Sequence, residues 1–126
     1  MTRITRNNYW VYILRCENNS YYTGYTKDIL RRYSEHVNDT GRCKYTRSFK
    51  PITIAQCWRI KGSKSLAMHL ENVIKRLSKI KKEELILMPL SLSADKRVQP
   101  VKKQALQSIL TTGIEAYDNK NIKIKS

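Results

Sequence analysis

Residues 9–26, on which the architecture depends, read Tyr-Trp-Val-Tyr-Ile-Leu-Arg-Cys (9–16), Glu-Asn-Asn-Ser (17–20) and Tyr-Tyr-Thr-Gly-Tyr-Thr (21–26). Aromatic and β-branched residues dominate the first and third segments, and such residues favour packed, pleated strands. Asparagine tolerates a positive φ and bonds its own backbone, so the middle segment predicts a turn. The stretch is therefore predicted to form a β-hairpin.

Helical and extended segments follow this hairpin. Apolar residues at helical spacing predict helices over about 28–37, 63–77 and 79–88. Between the first two lie a basic loop at 41–47 and a strand at 51–58, whose first residue is a proline. The resulting order, β-β-α-β-α-α, predicts an α+β domain in which helices cover an antiparallel sheet.

The length of the chain suits one domain with a short extension. Its 126 residues lie in the range of about 100–150 residues where a single hydrophobic core is common. We expect an N-terminal arm at 1–8, a folded domain at 9–88 and a C-terminal extension at 89–126. The extension is expected to hold one short helix around 101–110 and a frayed, disordered tail.

The charge of the chain bears on its partners. Lys and Arg number 25 against 10 Asp and Glu, which gives a formal charge of +15. Such an excess attracts polyanions, with nucleic acid first and an anionic membrane second, although a ribosome-associated or structural module would carry the same charge. No apolar run approaches the roughly 20 residues that span a bilayer, and the N terminus lacks the apolar stretch of a secretory signal. We therefore expect a soluble, cytoplasmic protein without a membrane partner.

The cysteines are odd in number and widely spaced. Cys16, Cys43 and Cys57 form no Cys-x-x-Cys pair. A disulfide scaffold and a zinc ribbon are therefore disfavoured, and we expect reduced, half-buried packing residues.

Three polar positions on the helices are candidates for chemistry. Arg32 and His36 are four residues apart and share one side of the first helix. Glu71 lies about 40° beyond Ala67, at the edge of the apolar arc of the second helix, with 100° per residue. Each position also has an ordinary explanation, since helix surfaces carry solvated side chains and glutamate commonly pairs with lysine. His69 lies on the far side of the arc from Glu71 and is expected at the surface.

Five separated elements resemble the GIY-YIG nuclease superfamily, in particular its small stand-alone bacterial branch. They are Val11-Tyr12-Ile13, Tyr22-Thr23-Gly24, the segment from Lys27 to His36, Lys44-Tyr45-Thr46-Arg47, and Glu71-Asn72-Val73-Ile74-Lys75 followed by Lys81-Lys82. They occur in the order and spacing of the superfamily over about residues 9–88. The resemblance implies a three-stranded antiparallel sheet flanked by helices, in agreement with the α+β order above.

The resemblance also implies roles for five residues. Tyr12 and Tyr22 match the tyrosines of the two named motifs, Arg32 and His36 match the helix arginine and histidine, and Glu71 matches the metal-binding glutamate. The superfamily hydrolyses phosphodiester bonds with one divalent ion, Mg²⁺ or Mn²⁺, which polarises the phosphate and stabilises the leaving oxygen. A strongly positive site favours a phenolate, which makes Tyr12 a credible general base. His36 is the alternative base.

Pairing in the hairpin decides whether Tyr12 and Tyr22 can share a site. A four-residue loop at 17–20 would pair Tyr12 with Tyr25, and Tyr22 would then point to the opposite face. A loop of odd length, or a bulge, would bring both rings to one face. Because the implied site needs both tyrosines, we predict that they face the same side.

The implied activity is that of a metal-dependent endonuclease that cleaves DNA, in repair or recombination. The alternative is a non-catalytic nucleic-acid-binding protein with the same fold. In either case DNA is expected rather than RNA, and the contacts with phosphates would be sensitive to salt and largely independent of sequence. The basic residues expected to make them are Lys44, Arg47, Lys50, Lys75, Arg76, Lys79, Lys81 and Lys82.

Overall fold

A computed structural model of the chain describes residues 8–38, 44–102 and 104–108. Three expectations concern residues outside these ranges, namely the arm before residue 8, Cys43 and the frayed tail. The side chains of Lys44 and Arg47, two of the expected phosphate contacts, also lie outside what is described. In the described ranges, no helix has both the length and the apolar character needed to cross a bilayer.

A single antiparallel sheet lies at the centre of the fold. Its strands are β1 (Asn8–Cys16), β2 (Tyr21–Thr26), β3 (Pro51–Lys61) and β4 (Val98–Pro100), in the spatial order β2-β1-β3-β4. The three predicted strands are confirmed. The fourth corrects the expected three-stranded sheet, because the extension returns to pair with β3. Three residues that end in proline carry no alternating pattern, so this strand has no signal in the sequence.

Helices lie before and after β3. They are α1 (Ile29–Asn38), α2 (Lys44–Ser48), α3 (Lys64–Lys75) and α4 (Lys79–Leu87), followed by a 3-10 turn at Pro89–Leu92 and a helical segment at 104–108. The three helices predicted for the domain are confirmed, and the segment at 104–108 falls within the helix expected around 101–110. The basic loop expected at 41–47 is wrong in part, because α2 begins at Lys44.

Short polar side chains cap three of these helices. The Asp28 carboxylate accepts a hydrogen bond from the Arg31 amide at 3.1 Å. The hydroxyls of Ser63 and Ser78 accept from amides in the first turns of α3 and α4, at 3.1 and 3.2 Å. Each cap satisfies an amide that the start of a helix leaves without an intrahelical partner. Ser63 therefore caps the second predicted helix, which begins at Lys64.

Alternate residues of β1 face opposite sides of the sheet, and each side contributes to a different core. The side that carries Val11 and Ile13, called the α3 face, packs against α3 and α4. The side that carries Tyr12 and Leu14, called the α1 face, packs against α1 and against Leu106 of the extension. The sheet thus separates two interiors.

Two of the three cysteines belong to the core of the α1 face. Cys16 and Cys57 are both fully buried. Burial raises the pKa of the Cys57 thiol well above its usual value. The expectation of packing residues is confirmed for both, although they are buried more deeply than expected.

Candidate active site

The register of the hairpin brings Tyr12 and Tyr22 to the same face. Tyr22 pairs with Leu14, and Tyr12 pairs with Gly24. This register leaves a loop of odd length, in which Asn19 adopts a φ of 63°. The two tyrosine ring centroids lie 6.5 Å apart. The prediction that both tyrosines face the same side is therefore confirmed.

Gly24 makes room for the ring of Tyr12. A Cβ atom at position 24 would lie 2.5 Å from Oη of Tyr12 and 2.8 Å from its Cζ. Glycine is thus needed here because another chain segment approaches its backbone closely. Gly24 belongs to a sequence motif, but its role cannot be inferred there, because the approach of the Tyr12 ring to Gly24 depends on the register.

His36 lies at the centre of a buried chain of hydrogen bonds. Its Nε2 lies 2.9 Å from the Tyr12 hydroxyl, and its Nδ1 lies 2.9 Å from the Thr46 hydroxyl. The side chain is 2% exposed. The ordinary explanation of His36, a solvated side chain on a helix surface, is therefore wrong. The residue that matches the helix histidine is buried beside Tyr12.

Burial lowers the pKa of His36 to about 4, together with the nearby Arg32 charge, while Glu35 acts in the opposite direction. The imidazole is consequently neutral at pH 7 and carries one N–H. With the proton on Nδ1, it donates to Thr46 and its Nε2 accepts from the Tyr12 hydroxyl. With the proton on Nε2, it donates to the Tyr12 oxygen instead. The Thr46 hydroxyl can accept from Nδ1–H or donate to an unprotonated Nδ1, so this bond is compatible with both tautomers.

Arg32 provides a fixed positive charge next to Tyr12. Its Nη1 donates to Glu35 Oε1 at 2.8 Å. Burial alone lowers the pKa of Arg32, but hydrogen bonds and charge interactions with Glu35 and Tyr12 outweigh it, so the pKa lies above its usual value. The guanidinium is held in position by Glu35 and remains charged at every pH of interest.

An aromatic cluster surrounds the histidine. The Tyr22 ring lies 5.2 Å from that of His36 and 5.9 Å from that of Tyr45, to which it is stacked with an interplanar angle of 26°. Tyr45 in turn contacts Phe49, and its hydroxyl is hydrogen-bonded to Ser20. Short helix α2 therefore supplies two neighbours of the site, Tyr45 and Thr46. Tyr45 and Thr46 belong to one of the sequence motifs, but their roles depend on how α2 packs and cannot be inferred from the motif.

A cavity of about 450 Å³ opens beside Arg32. The residues that line it are Tyr9, Tyr25, Thr26, Lys27, Arg31, Arg32, Glu35 and Lys64. Four of these side chains are cationic and one is anionic, so the cavity is suited to a phosphate group. Lys27, Arg31 and Lys64 were absent from the expected phosphate contacts, because the sequence does not show that two helices and the hairpin meet here.

Glu71 lies apart from the tyrosine and histidine cluster. It belongs to α3, which packs on the other face of the sheet, and its carboxylate forms an ion pair with Lys75 at 3.5 Å. The ordinary explanation of Glu71, pairing with a nearby lysine, is therefore observed. Its side chain retains 16% exposure.

Helical spacing relates Glu71 to the cavity beside Arg32. Lys64, at the start of α3, lines that cavity together with Thr26 at the end of β2. Glu71 follows Lys64 by seven residues, or about two helical turns, so the two residues lie on the same side of α3.

Glu71 offers a single carboxylate to a divalent ion. Across the described ranges, no cluster of three or more His, Cys, Asp or Glu side chains is placed to hold a metal ion. Mg²⁺ is commonly held by one or two carboxylates, while waters and substrate phosphates complete its coordination. The half-buried Glu71 carboxylate fits such a site as a single protein ligand.

The remaining expected phosphate contacts line no part of the cavity beside Arg32. Lys50, Lys75, Arg76, Lys79 and Lys81 are exposed and Lys82 is half-buried. Most of them belong to α3 and α4 on the α3 face or to the turn between these helices, and Lys81 pairs with Glu84 at 3.5 Å. The neighbouring His69 is exposed, as expected.

Comparisons with known proteins point to one family. A family model described as the GIY-YIG catalytic domain matches residues 8–84. The chain is 42% identical to UPF0213 protein FN1575 of Fusobacterium nucleatum over 101 residues, which cover 80% of this chain and 97% of that protein. It is 44% identical to UPF0213 protein BH0048 of Halalkalibacterium halodurans over 79 residues, or 63% of this chain and 82% of that protein. A solution NMR structure of UPF0213 protein BH0048 from Bacillus halodurans matches with a TM-score of 0.43 and 43% identity, covering 64% and 84% of the two chains.

Proposed function

Because this chain belongs to the GIY-YIG family, which is a nuclease family, we propose that it is a metal-dependent endonuclease that hydrolyses phosphodiester bonds in DNA. The observation that carries the proposal is the 2.9 Å hydrogen bond between the Tyr12 hydroxyl and Nε2 of a neutral, buried His36. Packing alone does not require a buried tyrosine to face a buried histidine beside an arginine. This arrangement is suited to proton transfer at an anionic substrate.

Arg32 binds and orients the substrate. A phosphodiester is an anion, and the cations around the cavity raise its local concentration. The planar guanidinium of Arg32 presents two parallel N–H groups, which suit two phosphate oxygens at once. Glu35 occupies one edge of that guanidinium at 2.8 Å and limits its rotation. Arg32 therefore positions the scissile phosphate and neutralises part of the charge that develops on it.

Tyr12 and His36 together move the proton of the attacking water. The water gives its proton to the Tyr12 oxygen, while the Tyr12 hydroxyl proton passes to Nε2 of His36. This route requires the tautomer in which Nδ1 carries the N–H and donates to Thr46. The charge of Arg32 lowers the pKa of His36, so a phosphate bound to Arg32 offsets that effect and makes His36 a better proton acceptor. Substrate binding thus prepares the base.

Glu71 is proposed to hold the metal. Bound there, Mg²⁺ or Mn²⁺ would polarise the phosphate and stabilise the departing oxygen. The carboxylate must first leave its ion pair with Lys75, which at this partly exposed position costs at most about 1 kcal/mol. The net charge of +15 favours a nucleic acid as the partner. We propose that this nucleic acid is DNA, and a cleavage activity of this kind suits repair or recombination.

A non-catalytic nucleic-acid-binding protein is the second candidate. The observation that favours it is the ion pair of Glu71 with Lys75 on the other face of the sheet from Tyr12. In that case the basic surface and the cavity beside Arg32 bind the strand, and no bond is broken.

Cleavage assays separate the two candidates. End-labelled single-stranded, duplex and branched DNA are incubated with the full chain in Mg²⁺, in Mn²⁺ and in chelator. Glu71→Gln and Tyr12→Phe are the test variants. Glu84→Gln is the matched control, because Glu84 also pairs with a lysine on its own helix but lies on α4, away from Tyr12.

The nuclease predicts metal-dependent products that both test variants lose and the control retains. The binding protein predicts intact DNA in every lane, with mobility shifts that chelator does not change. Cleavage that survives in Glu71→Gln would remove the metal role from Glu71 while leaving the nuclease in place.

A further inference from the structure

A second cavity, of about 500 Å³, lies on the α1 face where the extension crosses the sheet. Its floor is formed by Trp10 of β1 and Arg59 of β3, which are paired neighbours in the sheet. Its wall is formed by residues 99–102 and Ala105. We call this cavity the extension pocket.

The extension pocket is next to the Tyr12 site. Trp10 precedes Tyr12 by two residues, so both side chains leave β1 on the same face, with about 7 Å between their Cα atoms. On β3, Arg59 follows Cys57 by two residues, and Cys57 pairs with Tyr12. A strand whose phosphate lies at Tyr12 would therefore place an adjacent nucleotide at the pocket.

One buried nitrogen of the pocket lacks a hydrogen-bond partner among the described residues. Nε of Arg59 is buried, and no hydrogen-bond partner for it exists in the described part of the chain. A buried N–H on a charged group is costly to leave without a partner. Lys102 adds a second, exposed cation, and no acidic side chain is present among the described residues that line the cavity. The pocket is therefore complementary to a phosphate.

Trp10 adds a surface for an aromatic base. Its ring is half-buried and lines the cavity. By contrast, Trp58 is fully buried on the α3 face, where its Nε1 donates to the Pro89 carbonyl at 3.0 Å. An aromatic floor with an adjacent arginine is the combination that binds a base by stacking and its phosphate by charge.

We propose that the extension pocket binds one nucleotide of the substrate strand, with its base stacked on Trp10 and its phosphate bound by Arg59 and Lys102. The proposal rests on the proposed function in one respect, that a nucleic-acid strand crosses the Tyr12 site. The extension then acts as a substrate-binding element as well as an edge strand of the sheet.

Binding is measured without cleavage. The full chain is titrated in chelator with dAMP, which represents a free nucleotide, and with a fluorescein-labelled single-stranded decanucleotide, which represents a strand. The proposal predicts that dAMP saturably quenches the fluorescence of Trp10. Trp10→Leu should abolish this quenching. Trp10→Phe also lacks the fluorescent ring, so its binding is measured only with the decanucleotide. It also predicts decanucleotide binding weakened about 10-fold or more in Trp10→Leu and Arg59→Gln, with Trp10→Phe close to wild type.

Arg97→Gln is the control for charge. Arg97 is an exposed arginine of the same extension and is paired with Asp95 at 2.7 Å, so its loss should leave decanucleotide affinity within about twofold of wild type. Equal losses in Arg97→Gln and Arg59→Gln would reduce the effect to net charge and overturn the pocket. If Trp10→Leu does not fold by circular dichroism, Arg59→Gln against Arg97→Gln decides alone.

The two proposals fail in different ways. A wild type that cleaves DNA, with Trp10→Leu and Arg59→Gln unchanged in affinity and in KM, overturns the extension pocket and leaves the nuclease. A wild type that cleaves nothing, with decanucleotide binding lost in both variants, supports the pocket and overturns the nuclease. If dAMP quenches the fluorescence but Trp10→Leu and Arg59→Gln leave decanucleotide affinity unchanged, the pocket is a site for a free nucleotide and the assignment to a strand is overturned.

Discussion

The two faces of the central sheet differ in how their buried polar groups are connected. The α3 face buries mainly aliphatic and aromatic side chains such as Val11 and Ile13, with Thr23 and Gln56 as separate polar residues. The α1 face buries the Tyr12 hydroxyl, the His36 imidazole and the Thr46 hydroxyl, joined by two hydrogen bonds of 2.9 Å. A buried polar group stabilises a fold only when it is fully satisfied, and an apolar replacement is often as stable.

The difference teaches that one sheet serves two purposes. Apolar packing on the α3 face supplies stability, and it holds β1 in place for the residues that point the other way. The α1 face retains a polar chain that stability does not require, which is typical of functional sites. Four measurements can break or sharpen this division.

The largest expected effect, on kcat, comes from replacing one residue on each face in separate variants. Tyr12→Phe removes the hydroxyl that takes up the proton, so we expect kcat to fall about 10²–10⁴-fold. It also leaves buried Nε2 of His36 without its partner, which lowers the unfolding free energy by about 1–3 kcal/mol. Ile13→Ala leaves a cavity on the α3 face, so we expect about 2–5 kcal/mol less stability and normal kcat in the folded fraction. Urea denaturation and single-turnover cleavage measure the two quantities. If Ile13→Ala lost kcat as severely as Tyr12→Phe, the division between the faces would be wrong.

The pH dependence of stability tests the buried histidine. Its pKa of about 4 in the folded state lies below the ordinary value of about 6.5 that the unfolded chain would show. The unfolded state therefore binds a proton first, and stability is lost as the pH falls from about 6.5 to about 4, by up to about 3 kcal/mol. Above pH 6.5 His36 contributes no slope.

The matched variants for this prediction are His36→Gln and His69→Gln. Unfolding free energies between pH 4 and pH 7.5 should lose most of their slope in His36→Gln and keep it in His69→Gln, because His69 is exposed. Equal slopes in both variants would show that His36 is accessible to protons in the folded protein.

A methyl group at position 24 tests the close approach of the Tyr12 ring. Gly24→Ala places a Cβ within 2.5 Å of the Tyr12 hydroxyl oxygen, so the ring must move. We expect about 1–3 kcal/mol less stability and a loss of cleavage beyond that of the folded fraction. Gly62→Asn is the control, because a Cβ at Gly62 meets nothing within 4 Å and asparagine tolerates its φ of 63°. Full activity in Gly24→Ala would mean that the placement of Tyr12 is not critical.

The smallest expected effect concerns the far end of the polar chain. Thr46→Val keeps the volume of the side chain but removes the hydrogen-bond partner of His36 Nδ1. We expect kcat to fall about 5–10-fold and the lower limb of the pH–rate profile to shift, because the Nδ1–H of the imidazolium that forms on proton transfer loses its acceptor. Thr46→Ser restores the hydroxyl and should restore both. An unshifted profile in Thr46→Val would assign Thr46 to packing alone.

Much of the fold was predictable because it depends on local patterns. Aromatic and β-branched residues predict β1 and β2, and apolar spacing predicts α3 and α4 within about two residues. The candidate site was predictable in part. Tyr12, Tyr22, Arg32 and His36 were identified by resemblance, and the structure brings them together. Their roles in catalysis, and that of Glu71 with its metal, remain predictions.

The neighbours of the site were not predictable from the residues themselves. Gly24, Thr46 and Lys64 acquire a role only through segments that are distant in sequence. The fourth strand and the extension pocket depend in the same way on residues 98–105 returning to β3. Such pairings leave no periodic signal in a three-residue strand.

The sequence by itself determined the first three strands, the three longer helices, the positive charge and the residue types available for chemistry, because these follow from backbone preference and side-chain composition over a few neighbouring positions. Only the tertiary structure decided that Tyr12 and Tyr22 share a face, that His36 is buried and neutral, and that Arg59 meets Trp10. Each of these depends on strand register or on burial between elements, which arise from contacts across the whole fold.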